Sequence, residues 1–316
     1  MSKDLLKLAN EVEHVIKPFG EFEILLFYGI VAEKMKKFLA GKELAAKNWI
    51  SPSPTFKLPY LIKRGSKEPP LFIDVFTRAI TPEFLETRSK IKSLKDARGK
   101  ITKTQENVWN YFLPRKLSDF FYATNGENPG KPIDRIFFDL DRGESITAGQ
   151  AQTAAKHLIQ TIRDDKDMVG LLGKPDVGIA WTGKSFHVFI FLRKKMPNSF
   201  YVKNFQYAQS KPLDTFTGRW AEQVKKETKL NVVGGHEKTK NALNIDPSQT
   251  PSGKLCRVPL SSLHMHDPKT VDGVSLPVTE RMLGDPNLIK ELESYTPERV
   301  IKELDKLAKR LPKRFQ

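Results

Sequence analysis

Residues 133 to 141, IDRIFFDLD, constrain the chain more than any other segment, because they read as a strand with two unlike faces. Side chains two apart on a strand point the same way, about 6.6 Å apart along its axis. Ile136, Phe138 and Leu140 therefore share one face, and Asp139 and Asp141 share the other. The apolar face has to be packed against other elements; the acidic face cannot be. Two carboxylates side by side on a stiff strand repel unless a cation lies between them, and hard oxygen ligands suit Mg²⁺ or Mn²⁺. A strand end with two solvated acids is the plain alternative.

Strands and helices interleave around this segment, which makes the class α/β or α+β. FFYAT and the turn NGENPGKP lead into it. TAGQ follows and fits a capping box, with Thr147 as the cap and Gln150 reaching back. VGIAW and FHVFIFL, separated by TGKS, read as a hairpin. A long helix over 214 to 230 and the short strand ALNID come next. Upstream, Leu5, Leu6, Leu8, Val12, Val15 and Ile16 recur at helical spacing, and a second helical run goes from Glu21 to Gly41. Residues 51 to 70 hold five prolines and suit a loop or an extended crossing. LFIDVF offers a short strand, residues 81 to 112 look largely helical, and Pro286 to Lys313 form a helical, basic finish. This organisation predicts an N-terminal helical or accessory region (1–104), a core (105–275) and a C-terminal basic helical segment (276–316).

With 316 residues the chain can bury a sizeable core in one large domain or two smaller ones. The single cysteine, Cys256, rules out an internal disulfide and a multi-cysteine zinc knuckle, and suits a reducing cytoplasm. No zinc is expected. Charges recur every few residues at the N-terminus, and the apolar run from Ile24 to Ala32 falls far short of the roughly 20 residues that span a bilayer. A soluble cytoplasmic protein without a membrane partner is expected. Lys and Arg number 53 against 37 Asp and Glu, a net +16. That balance fits a protein that meets phosphate backbones, and it equally fits a solvated basic face.

Asp246 closes the strand in NALNIDPSQ and is the third candidate carboxylate. As the residue before Pro247 it also fits a turn initiator. His187 begins the run FHVFIFL three residues after Lys184. A histidine there is an ordinary structural residue, or with Lys184 presents cationic donors to a triphosphate. In CRVPLSSLHMHD, Arg257, His264 and His266 surround a Ser-Ser pair; the companion ligands that would make HxH a metal site are missing nearby. GIAWTGKS, 178 to 185, matches the P-loop letters, but a P-loop opens a helix and this stretch leads into another strand. FDLD is also like the nucleophile segment of haloacid-dehalogenase-like phosphatases, in which Asp139 would attack covalently. That family continues with Gly-Thr, where this chain has Arg142-Gly143.

Taken in order, FFDLD, TGKSFHV, NID and RVPLSSLH resemble the motifs of the archaeo-eukaryotic primase superfamily, over roughly residues 115 to 275. The lead-in LSDFFYATNGENPGKPIDRIFFDLD is similar to the strand and Pro-bearing loop that precede the acids in that family. The resemblance implies a primase-polymerase fold, an α/β module plus an RRM-like sheet with the active site between them. It implies Asp139, Asp141 and Asp246 as ligands of two Mg²⁺ or Mn²⁺ ions, and Lys184, Ser185, His187, Arg257 and His264 as contacts to an incoming dNTP or NTP. Thr182 stands where the family prefers Ser, and His266 where it often has Lys, with Lys269 further on. The expected activity is nucleotidyl transfer on a single-stranded or primed DNA template, in replication of a plasmid, virus or archaeal genome, or as the related polymerase domain of end-joining ligases. A helicase or accessory primase domain, in this chain or another, is a possible partner. A phosphatase and a non-catalytic DNA-binding module are the readings from other classes.

Overall fold

The computed structural model describes residues 21–39, 43–46, 60–61, 71–111, 120–126, 128–237, 239–263 and 271–311. The helix expected before residue 21, most of the proline-rich stretch, and His264, His266 and Lys269 lie outside them. The chain forms two compact units. One comprises Met1–Tyr122, Leu260–Ser275 and Tyr295–Gln316; the other comprises Ala123–Pro259 and Leu276–Ser294.

In the first unit, helix α1 (Glu21–Leu39) is buried on every side between Leu25 and Ala32. That matches a run with no polar face to present to water. Strands β1 (Glu43–Ala46) and β2 (Tyr60–Leu61) pair in parallel, and β2 pairs antiparallel with β3 (Leu71–Phe72). The strand expected over LFIDVF stops there, and α2 (Ile73–Ala79) takes over. Its buried residues Ile73, Phe76 and Thr77 fall at helical spacing, so a short apolar run that alternation cannot resolve is settled by packing. Helix α3 (Pro82–Lys90) starts at the cap Thr81, whose hydroxyl accepts from the Phe84 N–H, with proline in the first turn. Short α4 (Leu94–Ala97), α5 (Lys103–Tyr111) and β4 (Phe120–Ala123) follow.

The second unit is built on β5 (Ile133–Arg142), β6 (Asp176–Trp181), β7 (Phe186–Met196), β8 (Val232–Gly234), β9 (Leu243–Asp246) and, after β10 (Leu255–Arg257) and the small β11–β12 pair (Ser262–Leu263, Gly273–Val274) of the first unit, β13 (Leu276–Val278). The sheet order is β13-β6-β7-β5-β9-β8, and only β8 and β9 run parallel. The expected hairpin is β6–β7, and its turn bonds the Thr182 N–H to the Ser185 carbonyl at 2.8 Å with Gly183 at φ 96°. No helix follows GIAWTGKS, so the stretch is not a phosphate-binding loop of the P-loop kind.

Helices α6 (Ala148–Asp164) and α9 (Phe216–Thr228) pack on each other and on the sheet. The capping box of Thr147 and Gln150 opens α6 as expected. Helix α7 (Lys166–Leu172) follows α6, and α8 (Asn198–Asn204) follows β7. Phe138 meets the rings of Trp220 at 5.8 Å and Phe205 at 6.4 Å. Its neighbours Ile136 and Leu140 are fully buried, as are Val188 and Ile190 opposite on β7. Each such side chain contributes about 2 kcal/mol on burial. The opposite face of the same strands carries the acids. Beyond β13, α10 (Leu288–Glu293) belongs to this unit, and α11 (Pro297–Lys302) and α12 (Leu304–Ala308) return to the first. Among the described residues, no helix is long and apolar enough to cross a membrane.

In the returning segment Glu303 accepts from Arg299 Nε at 2.9 Å, from the Tyr295 hydroxyl at 2.8 Å and from Lys306 Nζ at 3.0 Å. The Arg299 bond first, then the other two, hold its carboxyl down to about 2 from an ordinary 4.5. A depressed carboxylate stabilises the fold above its unfolded value, and that contribution is lost as the pH falls through the folded value. Acid unfolding followed by circular dichroism should therefore show stability falling between pH 4.5 and 2. In Glu303→Gln the part of that fall due to this carboxylate should be absent; an unchanged slope would contradict the assignment.

Candidate active site

Strand β5 lies between β7 and β9, antiparallel to both, and Asp139 is the residue at which the two registers meet. It stands opposite His187 on β7 and opposite Asp246 on β9. Directly opposed residues of antiparallel strands share a face with Cβ atoms about 5 Å apart. His187, Asp139 and Asp246 therefore form one row across the sheet. Asp141, two residues on, shares that face and stands opposite Asn244.

Asp246 is the most enclosed of the three acids, only 5% exposed. Burial raises its pKa, and the negative charge of Asp141 raises it further, while the Ser248 hydrogen bonds and the charge of His236 pull the other way. The Ser248 N–H donates to Oδ1 at 2.8 Å and the Ser248 hydroxyl to Oδ2 at 2.9 Å. Asp246 is thus both the turn initiator and the carboxylate facing Asp139; the two readings of DPS are compatible. Strand β9 ends at this residue, and Thr250 then satisfies the edge of β5, accepting from the Phe137 N–H at 2.9 Å and donating to its carbonyl at 3.1 Å.

His187 is 7% exposed and enclosed by aromatic rings, with Phe137 at 4.7 Å and Phe189 at 6.2 Å. Its Nε2 lies 3.5 Å from an Asp139 carboxylate oxygen and its Nδ1 lies 3.8 Å from Cys256 Sγ. The first distance is that of an ion pair, yet burial, and secondarily the positive charge of Arg257, push the imidazole down to about 3. We take the ring as neutral, since a group without water around it cannot hold its proton against a nearby guanidinium. The ring thus stands beside the Asp139 carboxylate from the β7 side.

Ser185 is buried, and its hydroxyl donates to the Leu140 carbonyl, tying the hairpin turn to β5. Lys184 stands exposed at the tip of that turn, and Arg257 is half-buried on β10 beside Cys256. His264 lies outside the described residues. Sequence reasoning did not find Cys256 as a neighbour of His187, nor Ser248 as a partner of Asp246; only the Asp-Pro-Ser turn signal pointed at the second.

Three oxygen donors on neighbouring strand positions form the type of set that takes a hard divalent ion. Each Asp246 oxygen accepts one bond from Ser248 and keeps further lone pairs for a ligand. Burial first, and the charge of Asp141 after it, raise the Asp246 pKa, which a cation beside the carboxylate would offset. Among the described residues, no three His, Cys, Asp or Glu side chains stand close enough together to hold a metal ion as they are placed. The donor types fit Mg²⁺ or Mn²⁺.

No protein-family model matches the chain, and no curated protein does. Among solved structures it is similar to one described as the polymerase domain from Mycobacterium tuberculosis Ligase D in complex with DNA. The two share 18% identity over 93% of this chain and 94% of that one, with a TM-score of 0.48.

The row of acids depends on a close approach at the end of β5. A Cβ on Gly143 would lie 2.3 Å from the Thr239 carbonyl oxygen and 2.4 Å from that of Lys240, the turn that leads into β9. Gly143→Ala should therefore force the turn away and cost about 1–3 kcal/mol in urea unfolding. Stability equal to the parent's would show that the turn gives way freely.

Proposed function

We propose that this protein is a nucleotidyltransferase that joins nucleotides on a DNA template, a DNA primase or polymerase. The observation that carries the reading is the cross-strand row of Asp139 and Asp246, with Asp141 on the same face and Lys184 exposed at the β6–β7 turn. The ordered motifs FFDLD, TGKSFHV and NID, which resemble those of primase-polymerases, support it. So does the net charge of +16, which suits a partner made of phosphates.

Asp139, Asp141 and Asp246 are the residues that would hold divalent Mg²⁺ or Mn²⁺. Bound there, such ions supply activation of the attacking 3′-hydroxyl and neutralisation of the departing pyrophosphate. The chain's own residues do the rest. Buried, neutral His187 and the Ser248 bonds keep two of the carboxylates aimed across the sheet, so little reorganisation remains at the moment of reaction. Lys184 and Arg257 offer permanent positive charge to the triphosphate of the incoming dNTP or NTP. Ser185 holds the turn that presents Lys184.

Incubation with primed single-stranded template, labelled nucleotides and Mg²⁺ or Mn²⁺ should give extended products. Asp139→Ala and Asp141→Ala should each lower the rate by roughly a thousandfold, since bound ions contribute several kcal/mol to the transition state. Release of phosphate from a simple phosphomonoester with no product on DNA would instead favour the phosphatase, with Asp139 as nucleophile. Affinity for DNA, measured by fluorescence anisotropy, should drop about a thousandfold between 50 and 200 mM salt if several phosphates are contacted. Affinity indifferent to salt would count against a phosphate-tracking surface.

A further inference from the structure

A cavity of about 500 Å³ opens beside Asp246 within the second unit, and nothing in the reading above uses it. It is walled by Tyr201 and Val202 of α8, by Tyr207, by Gly234 and His236 at the end of β8, and by Asp246 itself. Its position is informative. The sheet order places the Lys184 turn on the β6–β7 side of the acids, and the cavity on the β9–β8 side. In-line displacement puts the attacking oxygen and the leaving group on opposite sides of the phosphorus. If the triphosphate takes the side of the Lys184 turn, the attacking group has to arrive from the side that the cavity occupies.

The lining fits an uncharged, flat ligand better than a polyphosphate. The charged side chains around it nearly balance: Glu237 and Asp246 against Lys254, with His236 beside them. Tyr207 is fixed close to the sheet backbone, since a Cβ on Gly234 would lie 2.4 Å from its ring and one on Gly235 would lie 2.7 Å from it. The Gly-Gly pair thus gives the ring a flat seat. Val202 leaves 48% of its surface exposed, an apolar wall facing an open cavity. Aromatic and apolar faces of this kind stack with nucleobases whatever their sequence. The volume is within the range of small-ligand sites.

We propose that this cavity seats the base and sugar of the nucleotide that carries the attacking 3′-hydroxyl, the primer end or a first bound nucleotide. The assignment rests on the nucleotidyl-transfer reading for the chemistry, but not for the binding. In that chemistry the 3′-oxygen forms a bond to the α-phosphorus of a nucleoside triphosphate. The bond from that phosphorus to its bridging oxygen breaks, its electron pair leaves with pyrophosphate, and the hydroxyl proton passes to solvent.

The test separates binding from catalysis. Deoxyadenosine, which has no phosphate, is titrated onto the whole chain in EDTA and followed by saturation-transfer NMR. Val202→Trp fills the cavity from an exposed position, and Tyr207→Leu removes the ring. Each should weaken binding about tenfold or more, the size of one stacking contact. In primed synthesis both should raise KM for the primer by a similar factor, with KM for the incoming nucleotide within about twofold of the parent's. No binding by the parent chain, equal binding by Val202→Trp, or a rise in KM confined to the incoming nucleotide would overturn the assignment. A chain that binds deoxyadenosine here yet adds no nucleotide to a primed template would refute the polymerase reading and leave the pocket standing.

Discussion

The pairing of β5 with β7 on one edge and β9 on the other, in register at Asp139, is the constraint from which the site follows. A strand's side chains alternate, so a shift of one residue in either pairing would send His187 or Asp246 to the helix-covered face. The apolar partners prevent that shift. Phe138 and Leu140 are held against Val188 and Phe186 on β7, and Leu140 against Ile245 on β9. Slipping the register would expose this set to water and bury acids against α6 and α9. The hydrophobic face thus sets the geometry of the polar one.

The polar face is held at an energetic cost. Asp246 is drawn into a buried position where its charged form is disfavoured, and the charge of Asp141 adds to the penalty. Ser248 offsets part of it from below. On the other flank burial pushes the His187 imidazole down. The row thus gathers three carboxylates on one face. A divalent cation, with its positive charge, would suit that set.

Much of this was legible in the residues. The two-faced strand, the hairpin, the Thr147–Gln150 capping box, the helix later seen as Phe216–Thr228 and the strand ending at Asp246 all follow from local patterns. In LFIDVF only Leu71–Phe72 is a strand, because a short run of this kind satisfies both periods and packing gives the rest to a helix. The charge state of His187 was not legible either. Its neighbours in sequence, Lys184 and Ser185, suggest a cationic cluster, whereas its proton is disfavoured first by burial in the fold and then by Arg257, about seventy residues away.

The sequence by itself determined that Asp139 and Asp141 share a face, since strand alternation is a property of the backbone and needs no partner. Only the tertiary structure decided that Asp246 and His187 stand beside Asp139, that Ser185 is spent on the Leu140 carbonyl, and that a cavity opens past β9. The reason is physical: alternation acts between neighbours along the chain, whereas strand register and burial depend on residues brought from distant positions to bury a common apolar face.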